Sequence, residues 1–226
     1  MHPEKFTLSN VTWEILTEAH DLSDFNCSTD DESGVNEFIQ YEAKKYQHEN
    51  MGTTYLFYYK DKIVGFATLS MNSINVKETP EAKEISDWFR KRVPVILLGQ
   101  IGVDNSVRRR GLGTVICEFC TGLAVDLSQR VGCRYIALHA DLKFINLYKK
   151  CGFETVHSTS KDGLMVKKLI HLVYVQDLLP EKFIQFKENS EKQNPKLNYQ
   201  MGPRKYEDDR MIGVYYQIRT NKSIKN

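Results

Sequence analysis

No stretch of the 226 residues approaches the ~20 consecutive apolar positions that a membrane-spanning helix needs. The first residues, Met1-His2-Pro3-Glu4-Lys5, lack the apolar core of a secretory signal, so the expected location is the cytoplasm, with no membrane partner. A charge excess is missing too: 31 Lys and Arg face 29 Asp and Glu, for a net charge of +2. Residues 1–169 carry 21 basic against 22 acidic side chains, and the basic surplus of 10 over 7 sits in residues 170–226. This balance argues against a general nucleic-acid-binding face, whose affinity comes from neutralised phosphates. Arg90-Lys91-Arg92 and Lys44-Lys45 read first as solvated charges. Cysteine is sparse and odd in number: Cys27, Cys117, Cys120, Cys133 and Cys151 are scattered through apolar segments, which suits reduced thiols and not a disulfide framework. Cys117-Glu118-Phe119-Cys120 spells a C-x-x-C, but no second pair or ligand-spaced His accompanies it. Core packing is the expectation, and no metal.

The informative stretch is Val107-Arg108-Arg109-Arg110-Gly111-Leu112-Gly113-Thr114. Before it, Val95 to Val103 is a β-branched and Leu-rich run of strand length, closed by Asp104-Asn105-Ser106. After it, Leu112, Val115, Ile116, Phe119, Leu123, Ala124 and Leu127 recur at helical spacing. The glycines therefore stand at a helix N-terminus. First-turn N–H groups there lack intrahelical partners, the helix dipole favours an anion, and arginines add charge-assisted contacts. A pyrophosphate fits such a cradle. A P-loop would need Lys and Ser/Thr after the second glycine, where Thr114 and Val115 stand, and a dinucleotide fingerprint would need a glycine where Ile116 stands. Alone, the stretch also suits a solvated Arg-rich cap.

Arg108, Gly111 and Gly113 resemble the Gln/Arg-x-x-Gly-x-Gly/Ala acetyl-CoA motif of the GNAT acetyltransferase superfamily. A second block, Leu147-Tyr148-Lys149-Lys150-Cys151-Gly152-Phe153, is similar to the family's Phe/Leu-Tyr-x-x-x-Gly-Phe signature, at the expected distance downstream. Two ordered motifs outweigh one. The resemblance implies a GNAT fold of mixed α/β (α+β) class: a central mixed, mostly antiparallel sheet flanked by helices, with a C-terminal extension. It further implies acetyl-CoA as cosubstrate, bound through the backbone of Ile101, Gly102 and Val103 and, at the pyrophosphate, through Arg108, Arg109, Arg110, Gly111, Leu112, Gly113 and Thr114. Tyr148 matches the family tyrosine that protonates the leaving sulfur. A phenol with a pKa near ~10 holds that proton at neutral pH.

Two positions depart from the family pattern. Many members carry a Glu on or beside the signature strand, whereas Gly99-Gln100 stands here, and a glutamine amide accepts no proton as a base. An ordered water or the amine's own ionisation takes that role in our reading, and His139 is a further candidate. Asp141 and Phe144 replace the Asn and Ala usually found ahead of the tyrosine.

Along the chain, Phe6–Leu16 reads as a strand and Ser33–Glu49 as a helix with Val35, Phe38, Ile39, Tyr41, Ala43 and Tyr46 on its apolar face. Thr53–Tyr59 and Ile63–Met71 read as a hairpin about Lys60-Asp61-Lys62, and Pro80–Arg92 as a helix. Tyr135–Leu138 is a strand, Leu142–Lys150 a helix stopped at Gly152, and Gly163–Ile170 the last sheet strand. The expected division is a GNAT domain over 1–169 and a partly flexible extension over 170–226. In the extension, 171–175 and Met211–Arg219 could be strands and Pro180–Glu188 a helix, separated by a polar stretch.

The acceptor stays open at this level. Asp21 to Cys27, followed by Val35 and Phe38-Ile39, resembles the Phe-x-Cys segment and ensuing helix of the GNAT branch of toxins that acetylate charged tRNA, as does Leu98 to Asp104. The near-neutral charge favours instead a primary amine on a small molecule or protein. A non-catalytic acyl-CoA-binding module is the third reading. Homodimerisation through the Trp88 region or the tail is equally open.

Overall fold

The computed structural model describes residues 5–29, 31, 33–75, 79, 92–158 and 162–169. Of the helix expected over Pro80–Arg92, residues 80–91 lie outside the described residues, as do the Trp88 region and every element expected beyond Leu169, while Arg92 itself opens a strand and not a helix turn.

Strands β2 (Thr53–Tyr59) and β3 (Lys62–Asn75) form the anticipated hairpin, with Tyr59 opposite Lys62. The two loop residues, Lys60 and Asp61, both take positive φ (49° and 61°), the geometry whose twist matches that of paired strands. β1 (Thr12–Ile15) pairs antiparallel with β2, and β4 (Arg92–Val103) with β3. β5 (Tyr135–Asp141) pairs parallel with β4, then β7 (Asp162–Lys168) and β6 (Glu154–Ser158) complete the order β1-β2-β3-β4-β5-β7-β6. Six strand contacts thus include one parallel pairing, and the mixed, mostly antiparallel expectation holds.

Successive strand residues point to opposite faces, and the core divides accordingly. On one face Phe57, Ile96, Ile136, Leu138 and Met165 pack with Leu112, Val115, Ile116 and Phe119 of the long helix α3 (Leu112–Ser128). Cys117 and Cys120 are buried in the same cluster, as their place on an apolar helix suggested. On the other face Leu56 and Phe66 meet Leu16, Phe25, Phe38 and Ile39. Burying each such Ile or Phe contributes on the order of 1.5–3 kcal/mol. A third cluster joins Ile74, Val93, Val95, Tyr135, Ala137, Leu164 and Val166.

Three expectations are corrected. The first strand shrinks to Thr12–Ile15 because a turn precedes it: the Thr7 N–H donates to Asn10 Oδ1 (2.9 Å) and the Asn10 N–H to the Thr7 carbonyl (3.2 Å). The Ser33–Glu49 helix is three pieces, α1 (Val35–Glu37), a π-helical stretch (Phe38–Glu42) and α2 (Ala43–His48). The wider π turn shifts the apolar register, so Tyr41, expected inside, is 81 % exposed. Finally, β6 was not anticipated.

Candidate active site

β4 and β5 run together over only three pairs, Val95 to Leu97 against Tyr135 to Ala137. Beyond them β4 stays with β3 through Val103, while β5 stays with β7 through Asp141, so the sheet splits into a wedge. A bulge sits where the split begins: Thr68 opposes Gln100 and Leu69 opposes Leu98, leaving Gly99 as the extra residue. Bulges bend and twist the strand that carries them, which is how β4 leaves its neighbour. The N–H and C=O groups of Ile101 and Val103 face the wedge, those of Gly102 being turned to β3 opposite Phe66, and β4 pairs with β5 no further than Leu97 among the described residues. Gly102 cannot carry a side chain, since a Cβ would lie 2.4 Å from the Phe66 ring and 3.0 Å from Cys27 Sγ.

At the wide end of the wedge, β4 passes through Asp104 and a single 3-10 turn (Asn105–Val107) into the glycine loop. Arg109 and Gly111 both take left-handed backbone (φ 61° and 90°), a pattern that turns successive N–H groups toward one concavity and so favours an anion. The Gly111 carbonyl accepts from the Thr114 and Val115 N–H groups (3.1 and 3.2 Å), which starts α3. Leu112 and Gly113 precede those donors, and their amides face the helix end. These residues fit a pyrophosphate. The Leu112 side chain itself is core, so its backbone alone is offered.

The three arginines part company. Arg108 Nη2 donates to the Cys27 carbonyl at 2.9 Å. The Arg110 guanidinium lies 4.5 Å over the Phe6 ring and 5.7 Å from that of Tyr59, while its carbonyl accepts from the Phe6 N–H at 2.9 Å. Arg109 is exposed at the loop tip.

Helix α4 (Ile145–Lys150) brings up Tyr148, which is 6 % exposed, beside α3. It ends as its sequence suggests: Gly152 takes φ 84°, its N–H donates to the Lys149 carbonyl, and the Phe153 N–H to the Tyr148 carbonyl, each at 3.0 Å. The Phe153 ring stands edge-on to that of Tyr148, with 6.1 Å between centroids. Burial, helped by the neighbouring Cys117 and Cys151 thiols, pushes the Tyr148 phenol above its ordinary range. The hydroxyl therefore stays protonated at neutral pH, and the same shift makes it a weaker acid, so any proton it gives to a departing thiolate depends on its placement and not on its acidity. Around it the Cys117 thiol, buried and hydrogen-bonded to Cys151, is pushed up, and that bond holds the Cys151 thiol below its usual value.

The other side of β4 meets the segment Leu22 to Cys27. Gln40 Nε2 donates to the Leu22 and Phe25 carbonyls (3.0 and 2.7 Å), and the Cys27 N–H to Asn36 Oδ1 (2.9 Å). Gln100 opposes Thr68 on this part of the strand, and Thr68 shares a hydroxyl–hydroxyl bond of 2.8 Å with Thr54. His139 is exposed on β5 opposite Leu164. Sequence reading missed Asp104 as more than punctuation. It is 3 % exposed, and the signal was a lone acidic residue closing an apolar strand.

The family model described as the acetyltransferase (GNAT) family matches residues 13–153. A tRNA-acetylating toxin of Mycobacterium tuberculosis is 24% identical over 125 residues, 55% of this chain and 72% of the relative. Among solved structures, a Tyr-to-Phe mutant of KacT superposes with a TM-score of 0.65 at 19% identity, covering 74% of this chain and 99% of that one. AtaT complexed with acetyl-methionyl-tRNAfMet gives 0.61 at 20% identity, covering 69% and 93%. With the split sheet, the glycine loop and the Tyr148 helix all inside the matched span, the chain belongs to the GNAT acetyltransferase family and is an acetyl-CoA-dependent acyltransferase.

Proposed function

We propose that the chain acetylates the amino group of aminoacyl-tRNA. The observation that carries this is the Phe25-Asn26-Cys27 segment, which resembles that of the charged-tRNA-acetylating branch and is bonded to the end of the signature strand through Asn26 and Cys27. The tRNA-acetylating relative named above supports the same acceptor class.

Acetyl-CoA supplies the acetyl group as a thioester. In this reading the Ile101, Gly102 and Val103 backbone aligns the pantetheine arm and polarises the thioester carbonyl, while Arg109 and the amides from Gly111 to Gly113 hold the pyrophosphate, the Thr114 N–H being taken by the Gly111 carbonyl. The neutral amine attacks the carbonyl carbon, a C–N bond forms, the C–S bond breaks, and Tyr148 protonates the departing sulfur. The amine's surplus proton leaves through water, because Gln100 accepts none. Holding both reactants in the wedge supplies much of the rate through proximity.

The near-neutral balance of residues 1–169 favours a competing acceptor, a small or protein amine, since a polyanion gains little from it. One experiment separates the two: pure protein is given acetyl-labelled acetyl-CoA and a cell extract, and the label is partitioned among charged tRNA, protein and small molecules. Label on charged tRNA, released when the aminoacyl ester is hydrolysed, is the expected result. Label confined to protein or small amines would overturn the acceptor.

A further inference from the structure

We propose that Asp104 is a positioning residue that ties the acceptor-side segment Asn26–Cys27 to the acetyl-CoA loop, so that filling the loop orders the segment. This builds on the site described above but needs no particular acceptor amine.

Asp104 is buried at the junction of strand and loop, and its two carboxylate oxygens do different things. Oδ1 accepts from the Ser106 N–H at 3.0 Å and from the Ser106 hydroxyl, and Lys62 Nζ lies 3.7 Å away. That oxygen shapes the turn leading into the loop. Oδ2 accepts from the Asn26 N–H at 3.0 Å, across 78 positions of sequence. These hydrogen bonds outweigh the cost of burial and hold the carboxyl below its ordinary range, so it is a carboxylate at neutral pH.

The segment follows the turn almost residue for residue. The Asn105 N–H donates to the Asn26 carbonyl (2.8 Å), Asn105 Nδ2 to Asn26 Oδ1 (3.1 Å), and the Thr29 N–H to Asn105 Oδ1 (3.4 Å). Arg108, one residue from the left-handed start of the anion concavity, reaches the Cys27 carbonyl. From Cys27 the path continues to the helix: its N–H bonds to Asn36, whose own N–H bonds to Asp31 Oδ2 (2.7 Å). A continuous hydrogen-bonded chain thus joins the loop to the start of α1. Fixing the loop on a pyrophosphate restricts the groups that hold the segment, and that restriction is the coupling.

The two-oxygen division makes Asp104→Asn selective. The amide keeps one oxygen, and the two Ser106 donors claim it. The NH2 is then left facing the Asn26 N–H, donor against donor, and the segment is released while the turn survives.

The test is hydrogen exchange of the full chain, with and without acetyl-CoA, in wild type and Asp104→Asn, alongside acetyl-CoA affinity. In wild type, acetyl-CoA should slow exchange over residues 22–29 by about fivefold. In Asp104→Asn the segment should exchange about tenfold faster and no longer respond to acetyl-CoA, as expected for one lost charge-assisted bond, with affinity kept within about threefold. Asn105→Ala, which removes only the two side-chain bonds, should give an intermediate loss and serves if Asp104→Asn does not fold. A segment that still responds to acetyl-CoA in both variants overturns the proposal. So does a loss of affinity beyond about tenfold, which would make Asp104 part of the loop, or equal acceleration across α3, which would make its role merely structural. No acceptor is present, so failure here is distinguishable from failure of the aminoacyl-tRNA reading.

Discussion

A Cβ built on Gly113 of α3 would stand 3.3 Å from Leu147 Cδ2 on α4. The second glycine of the loop therefore serves two ends at once. It leaves the backbone at the start of α3 uncovered by a side chain, and it lets the helix carrying Tyr148 pack tightly against α3.

Gly113→Ala should leave stability within about 1 kcal/mol, because the helical preference of Ala offsets the tight contact. Turnover should fall by more, since Leu147 must give way and Tyr148 is the next residue. Comparing thermal midpoint with kcat tests this, and a kcat equal to wild type would separate the contact from catalysis. Gly113→Glu puts a carboxylate where phosphate belongs and should abolish acetyl-CoA binding by calorimetry.

Tyr148→Phe should lower kcat by roughly 10²–10⁴, the usual worth of a positioned acid, with acetyl-CoA affinity retained. Because burial raises the phenol's pKa, kcat in wild type should show no alkaline fall from Tyr148 up to about pH 10. Above that pH the unfolded chain ionises the phenol while the native one resists, so stability drops as pH rises, and Tyr148→Phe should drop less. An unchanged kcat in the variant would remove Tyr148 from the reaction.

Arg109→Ala and Arg110→Ala should separate anion binding from packing. The first should weaken acetyl-CoA binding with little change in thermal midpoint. The second should cost about 1 kcal/mol through the lost cation–π contacts with Phe6 and Tyr59, measurable by denaturant unfolding. If Arg110→Ala proves the worse binder and the more stable protein, the division of labour is wrong.

Native alkylation with iodoacetamide at pH 8 should modify Cys151 first. Its thiol is held down by the hydrogen bond from Cys117 and by Lys167, whereas burial pushes Cys27 up to about 12 and Cys133 to about 11. Peptide mapping reads the order, and early loss of Cys120, which is fully buried, would contradict the packing of α3.

The strand before the loop, the helix after it, the Gly152 stop and the hairpin were legible because each rests on local physics: periodicity, a terminal glycine, a polar turn, although Lys62, read as part of that turn, instead opens β3. The strand β6 was not, since Glu154-Thr155-Val156-His157-Ser158 carries no apolar run and is held as an edge by β7. Tyr41 misled because one extra residue in a helical turn rotates everything near it, and nothing in the 3.6-residue pattern announces a π stretch.

By itself, then, the sequence determined the family motifs, the strand and long helix on either side of the glycine loop, and the stop of the Tyr148 helix at Gly152, all of them properties of residues close together in the chain. Only the tertiary structure decided that Arg108 bonds the Cys27 carbonyl while Arg110 lies over Phe6, that Asp104 reaches back 78 positions to Asn26, and where the sheet splits. Those depend on contacts between distant segments. Their geometry is fixed by packing and hydrogen-bond satisfaction across the whole core, which no local pattern encodes.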